Sequence, residues 1–337
     1  MVRSKAMRRS LDMRRRVLFV ALCLSALPIV PQAALAQDYP NRPVHLIIPF
    51  PPGGVADVIA RPIADRLSRT LGQPVIVESR AGATGTLGAA FVAHSPPDGY
   101  TLLLGTTNEI AMSPTLYQSL PYDPTTAFAP ITPVAVFPNV LVVGKDTPFK
   151  TLADLIAAAR EKPDVLTFAS SGIGSTNHLS AELFKREANV KVLHVPYRGG
   201  GPALIDVAGG HVTAMFATLP SAITLIRGGT LRALAVTGLH RSPILPDVPT
   251  AIEAGLPGLV VTTWNGVLAP AGTPPEIVER LHKALAEAVA EPSLKETFAA
   301  VGAETELITP PEFVARIRTD FDRWSSVIRQ AGISAQQ

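Results

Sequence analysis

The sequence predicts an α/β protein built as two lobes on a mostly parallel sheet. Three observations point there. Short apolar, β-branched runs alternate with amphipathic helical patterns, first from residue 44 to 104 and again from 152 to 236. Gly-, Ser- or Thr-rich loops stand directly after the strand runs in both stretches. Near Val140–Val143 and Thr262–Leu268 the chain crosses between the two series. The second series is therefore expected as an insertion: residues 37–139 with 265–337 in one lobe, and 140–264 in the other.

The chain of 337 residues opens on a segment that reads as an export signal rather than as fold. Arg3, Lys5, Arg8, Arg9, Arg14, Arg15 and Arg16 form a basic start. An apolar run from Val17 to Val30 and the small-residue cleavage pattern Ala34-Leu35-Ala36 follow. Cleavage is expected after residue 36. The chain has 30 Lys/Arg and 27 Asp/Glu, and the first 36 residues carry seven and one of these. What is left is 23 against 26, a formal charge of −3, which argues against a nucleic-acid-binding face. The single cysteine, Cys23, lies inside the apolar run, so the exported chain is expected to lack disulfides, thiol catalysis and cysteine metal sites. An exported, cysteine-free chain of this length fits a bacterial periplasm.

The elements follow in order. Val44–Ile48 reads as a strand that stops at Phe50-Pro51-Pro52-Gly53-Gly54. A helix then runs to Leu71, with Val55, Ile59, Ile63 and Leu67 at helical spacing and Asp57 in its first turn. Val75–Glu78 is a strand, Arg80–Gly88 a Gly/Thr loop, and a helix runs on to about His94. Pro96-Pro97-Asp98-Gly99 is a turn, Thr101–Leu104 a buried strand, and Gly105-Thr106-Thr107-Asn108 the loop at its end. Residues 119–138 read as proline-rich turns, and the apolar run resumes at Val140–Val143. In the second series, helix Leu152–Arg160, strand Val165–Ala169, loop Ser170–Thr176 and a helix to Ala188 are expected. Strand Val192–Val195, helix Pro202–Ala208, strand Val212–Phe216, helix Ser221–Arg227 and strand Leu231–Val236 follow. The tail holds helices near Pro275–Ala290, Leu294–Val301 and Pro311–Gln330.

Ligands of open α/β sheets bind beyond the carboxyl ends of the strands. Four loops occupy such ends: Phe50–Asp57, Gly82–Gly88, Gly105–Asn108 and Ser170–Asn177. The first leads into a helix N-terminus, where unpaired N–H groups and the positive end of the dipole favour an anion. Gly53 and Gly54 let a ligand approach that backbone, and Phe50 could wall the pocket. Ser171, Ser175, Thr176 and Asn177 offer hydroxyls and an amide beside a second helix start, where they could equally serve as caps. Asp57 reads either as a helix-start carboxylate or as a ligand acceptor; Asp206 leans to the structural role. His178 is expected to orient its loop rather than bind metal, and Trp264 and Trp324 to pack in the core. No H-E-x-x-H, G-x-S-x-G or phosphate-loop pattern is present, and Gly172-Ile173-Gly174-Ser175-Thr176-Asn177 lacks the last glycine of a dinucleotide fingerprint.

Six stretches resemble the tripartite tricarboxylate transporter substrate-binding receptors, also called Bug proteins. They are Tyr39-Pro40-Asn41-Arg42-Pro43, Pro51–Arg61, Arg80–Gly85 with Pro97–Thr101, Gly172–Leu179, and Val195–Ala203. Ser79 and Thr84 depart from the family's usual Asn and Gly. The resemblance spans the mature chain in order. It implies a type II periplasmic-binding-protein fold with two Rossmann-like lobes and a hinged cleft. It also implies a small carboxylate ligand (a di- or tricarboxylate, amino acid or aromatic acid), delivered to membrane permease subunits of a tripartite tricarboxylate transporter. The protein would work as a monomer, without cofactor or metal and without catalysis. In this reading Phe50, Gly53, Gly54, Asp57, Thr84, Thr107, Asn108, Ser171, Ser175, Thr176 and Asn177 line the site. Amides and hydroxyls would replace water around the carboxylate, and closure would present a shape to the permease. Two rivals stay open: a ligand sensor feeding a signalling system, and an exported α/β hydrolase using Ser175 and His178.

Overall fold

The computed structural model describes residues 39–334. The expected export signal, with Cys23, lies outside them. Ten strands are found among the described residues, in the order β2-β1-β3-β9-β4-β7-β5-β6, with β8 and β10 also paired to β4. They are β1 (Val44–Ile48), β2 (Val75–Ser79), β3 (Thr101–Thr106), β4 (Phe128–Gly144), β5 (Thr167–Ser170), β6 (Leu193–Pro196), β7 (Ala214–Thr218), β8 (Leu231–Val236), β9 (Thr262–Pro270) and β10 (Glu304–Thr305).

The fold is α/β as expected, but the sheet is mixed rather than mostly parallel. β1 pairs in parallel with β2 and β3, and β5 with β6 and β7. Between these groups, β9 and β4 run antiparallel to their neighbours. Residues 119–127 form turns as expected, but β4 overturns that reading over 128–138. It contains Pro130, Pro133 and Pro138 and runs unbroken from Phe128. Proline lacks a ladder donor and is tolerated in strands mainly at bulges and edges. The register of β4 on β9 shifts between Pro130 and Thr132 and again between Pro133 and Ala135. The prolines therefore mark bulges in a strand, which local propensity cannot distinguish from turns. Phe128–Pro138 pairs with β9, while Asn139–Gly144 pairs with β7 and β8. One strand thus serves both halves of the molecule.

The helix Val55–Leu71 buries Ile59, Ile63 and Leu67, as their spacing predicts. It also buries Arg66, whose Nε donates to Glu291 Oε2 (2.8 Å) and ties this helix to the C-terminal segment. Phe168, Phe184 and Phe216 pack with ring centroids 5.3–5.9 Å apart beneath β5 and β7. Each such buried aromatic contributes roughly 1.5–3 kcal/mol. Trp264 and Trp324 are buried, as expected. Trp264 meets Phe313 edge-on at 5.0 Å and donates Nε1–H to Asp320 Oδ2 (2.8 Å).

Elsewhere several ends move by about two residues. β5 starts at Thr167, leaving Val165 outside and exposed, and β7 spans Ala214–Thr218. Three short elements were not expected: β10, and two that follow β3. β3 extends through Thr106, and Asn108–Met112 then forms a single π-helical turn leading into the short helix Ser113–Leu116. This stretch has no cap and no polar face at helical spacing, so nothing in the sequence signals it.

Candidate functional site

The loops after β1, β2, β3 and β5 carry the candidate residues. After β1, the chain turns at Gly53, whose φ of +78° favours glycine, and enters its helix through Gly54 as N-cap. The Gly53 N–H is committed internally: it donates to Asp57 Oδ2 (3.1 Å). Arg61 donates to the same carboxyl through Nε (3.0 Å) and places Nη2 2.9 Å from Oδ1. The Arg61 hydrogen bond and the Gly53 N–H hold the Asp57 carboxyl below the usual carboxylate range, although burial opposes them. Asp57 thus braces the Gly53 turn from inside. A side chain at Gly53 would meet nothing within 4 Å, so the outer face of that turn is open. Phe50 lies at the mouth of the same loop; its carbonyl accepts from Ser79 Oγ (2.7 Å).

After β2, Ala83 (φ +45°) and Thr84 (φ +53°) adopt left-handed backbone that is costly for residues with a side chain, about 1–3 kcal/mol each. Such strain persists only where surrounding structure imposes it. Thr84 Oγ1 lies 3.9 Å from where a Cβ on Gly172 would stand, so the β2 and β5 loops face each other here.

After β3, Thr107 is fully buried and its Oγ1 accepts the Trp264 N–H (3.3 Å). Asn108 Oδ1 accepts the Thr176 N–H at 3.2 Å, a direct bond from the β3 loop to the first turn of the helix Thr176–Ala188. These two approaches bring together candidates that are 68 and 88 residues apart in the chain.

After β5, the loop is tied down by its own side chains. Ser175 is the N-cap: its Oγ accepts from the His178 N–H and donates to the Gly172 carbonyl (2.7 Å). Ser171 Oγ donates to Asn177 Oδ1 (2.5 Å), and Asn177 Nδ2 donates to the Phe216 carbonyl (2.6 Å). His178 Nδ1 accepts the Gly174 N–H (3.1 Å), the loop-orienting role expected of it. Its ring stacks on His194 at 3.6 Å, and His194 Nε2 lies 2.6 Å from Ser170 Oγ. Burial, followed by the neighbouring His178, pushes His194 down to about 4. Ser175 Oγ and His178 Nδ1 are both engaged by backbone, so these two do not face each other as nucleophile and base.

Of the candidates, then, Asn108 and Thr176 bond directly across the gap between loops, and Thr84 faces Gly172. Ser175, Asn177 and Asp57 also carry structural bonds, and Thr107 is a buried strut. Asp206 takes the Tyr197 hydroxyl (2.6 Å), as its structural reading predicts. Two surface depressions, one around Thr273, Val278 and His282 and the other around Glu182, Lys185 and Gln330, include none of the candidates.

Sequence reasoning missed Glu109. It lies in the π-helical turn, fully buried. Its carboxyl accepts from the Thr106 N–H and from Thr106 Oγ1 (2.6 Å). Burial pushes it up to about 7, against those hydrogen bonds. The available signal was an acidic residue beside the apolar run Ile110-Ala111-Met112.

The mixed α/β fold is that of the periplasmic binding proteins, matching BugD at TM-score 0.81 and 35% identity over 88% of this chain and 100% of that one. The match is direct against MatC from Rhodopseudomonas palustris with bound malate: TM-score 0.78 and 34% identity over 86% of this chain and 100% of that one. The R. palustris protein Rpa4515 with adipate matches at TM-score 0.84 and 40% identity, over 88% of this chain and 99% of that one. The family model described as tripartite tricarboxylate transporter family receptor matches residues 59–333, and the chain belongs to that family. Protein BugT of Bordetella pertussis is 39% identical over 316 residues, 94% of this chain and 95% of BugT. Members of this family are periplasmic solute-binding receptors, not enzymes.

Proposed function

We propose that this protein captures a small carboxylate between two closing lobes and delivers it to the permease subunits of a tripartite tricarboxylate transporter. The observation that carries the reading is the meeting of the Asn108 and Thr84 loops with the Thr176 and Gly172 loop. Each of these loops ends a strand, and they come from the two halves of the fold. Solved relatives carry adipate and malate. In this reading residues 37–139 with 265–337 move against 140–264, the open outer face of the Gly53 turn receives the carboxylate, and Thr84 and the loop from Ser171 to Asn177 border it. A charge-assisted hydrogen bond contributes about 1.5–3 kcal/mol, so a handful gives micromolar affinity after ordering costs. Ligand contacts in both lobes favour the closed form, which the permease recognises. The first 36 residues direct export, and the receptor works as a monomer without cofactor.

A thermal-shift panel of mono-, di- and tricarboxylates, including adipate and malate, tests this. A binder present at a hundred times its Kd stabilises by about 2.7 kcal/mol, a rise of several degrees. The absence of a shift with every acid in the panel overturns the reading.

A further inference from the structure

Glu109 has no part in the binding scheme above, yet it lies directly behind it. Gly85 has φ +96°, and a Cβ there would lie 3.0 Å from Glu109 Oε2 and 3.3 Å from Phe50 Cζ. Gly85 is therefore the thin partition between the buried carboxyl and the cleft loops; its neighbour Thr84 faces Gly172. On the other side, Glu109 reaches the cross-cleft bond through a short chain. Thr106 Oγ1 donates to Glu109 Oε2 (2.6 Å) and accepts the Asn108 N–H (3.2 Å), and Asn108 Oδ1 holds Thr176.

Among the described residues no cation is paired with this carboxyl. β3, the turn Ala83–Gly85 and the helix Ser113–Leu116 bring no ionisable side chain to it. Tyr122 donates its hydroxyl to the Glu109 carbonyl (2.8 Å) rather than to the carboxyl, and Tyr117 reaches the Ala83 carbonyl. On the helix Pro310–Gln330, which packs against the π-helical turn, Asp320 is taken by Trp264 and Arg316, and Arg323 donates to the Val260 carbonyl. Asp57 and Arg61 on the first helix are paired with each other.

We propose that Glu109 is the proton-binding partner of the captured anion: as a carboxylate enters the cleft, the Glu109 carboxylate takes up one proton from solvent and becomes neutral. The inference rests on the carboxylate reading of the cleft. Its physical basis is that a second negative charge behind Gly85, in a region of low effective dielectric and without a counter-ion, raises the cost of ionised Glu109. The Thr106 hydroxyl suits both states, since it donates to the ionised carboxyl and accepts from the neutral one. Because burial already places this group at about 7, a modest further push changes its occupancy at neutral pH.

Calorimetric titration with adipate and malate, at pH 7 in two buffers of different ionisation enthalpy, measures protons taken up per ligand. The expected result is fractional uptake by the wild type, a Kd that rises about three- to tenfold from pH 6 to pH 8, and loss of both in Glu109→Gln. Thr106→Val removes a donor to the carboxylate and should move the pH of greatest uptake upward; it also serves if Glu109→Gln does not fold. Equal uptake in wild type and Glu109→Gln assigns the proton elsewhere, for instance to the His178–His194 pair, and overturns the proposal. Unmoved uptake in Thr106→Val, or binding without uptake by the wild type, overturns it as well while leaving the carboxylate reading intact. If neither acid binds, the titration uses whichever acid of the thermal-shift panel does; if no acid of that panel binds at pH 6, both readings fall.

Discussion

Asn108 Oδ1 accepts the Thr176 N–H at 3.2 Å, a side chain after β3 holding the first turn of a helix that follows β5. The bond satisfies one of the amides that a helix start leaves unpaired. It also ties together loops on either side of the bulged strand β4. Asn108→Ala removes one neutral hydrogen bond, worth about 0.5–1.5 kcal/mol, so carboxylate affinity should weaken by roughly two- to twelvefold. Calorimetry checks this; unchanged affinity would show that the bond does not contribute to the bound state.

Gly53 and Gly85 both have positive φ but differ in their surroundings. At Gly53 a side chain meets open space, so Gly53→Val should cost only the backbone strain, about 1–3 kcal/mol, while obstructing the face assigned to the ligand. At Gly85 a side chain meets Glu109 and Phe50, so Gly85→Val should be the more destabilising of the two. Chemical denaturation of both variants, alongside binding, separates the effects. The expected pattern is lost binding with a retained fold at 53 and a larger stability loss at 85.

Ser175 caps its helix through Oγ and steadies the Gly172 carbonyl. Ser175→Ala should lower stability by about 1 kcal/mol, and Ser175→Asp should recover the cap. If the position serves only as a cap, Ser175→Asp regains stability and affinity together. If it also borders the anion, Ser175→Asp regains stability while the carboxylate binds more weakly. Melting curves with and without adipate distinguish the two.

His194 predicts a pH response of stability. Its folded-state value near 4 lies below the ordinary imidazole value of 6.5. The unfolded chain therefore takes up a proton first as pH falls, and the folded state does not. The contribution of His194 is complete above about pH 6.5 and is lost progressively as pH falls toward about 4. His194→Gln should flatten that part of the stability–pH curve, as read by urea denaturation between pH 4 and 7. Asp57, held low by Arg61, adds a separate loss only at more acidic pH, below the ordinary carboxylate range.

Much of this molecule is written in local patterns. The helix Val55–Leu71 follows from its apolar spacing, the Ser175 cap from a hydroxyl before an amphipathic run, and the loops from the glycines that end the strands. Those signals are set by backbone geometry and side-chain shape within a few residues, so one sequence suffices to read them. The burial of Glu109, the bulges at Pro130 and Pro133, and the meetings of Asn108 with Thr176 and Thr84 with Gly172 depend on segments far apart in the chain. Only tertiary packing decides them. A proline that would break an isolated strand is accommodated once β9 supplies a shifted register, and a carboxyl that would ionise freely in water is pushed up to about 7 once it is buried beside Gly85. Sequence thus determined which strand-end loops became candidates for holding an anion; the folded chain decided which of their groups stay free, because an amide or hydroxyl committed to an internal bond has its hydrogen-bonding capacity already used.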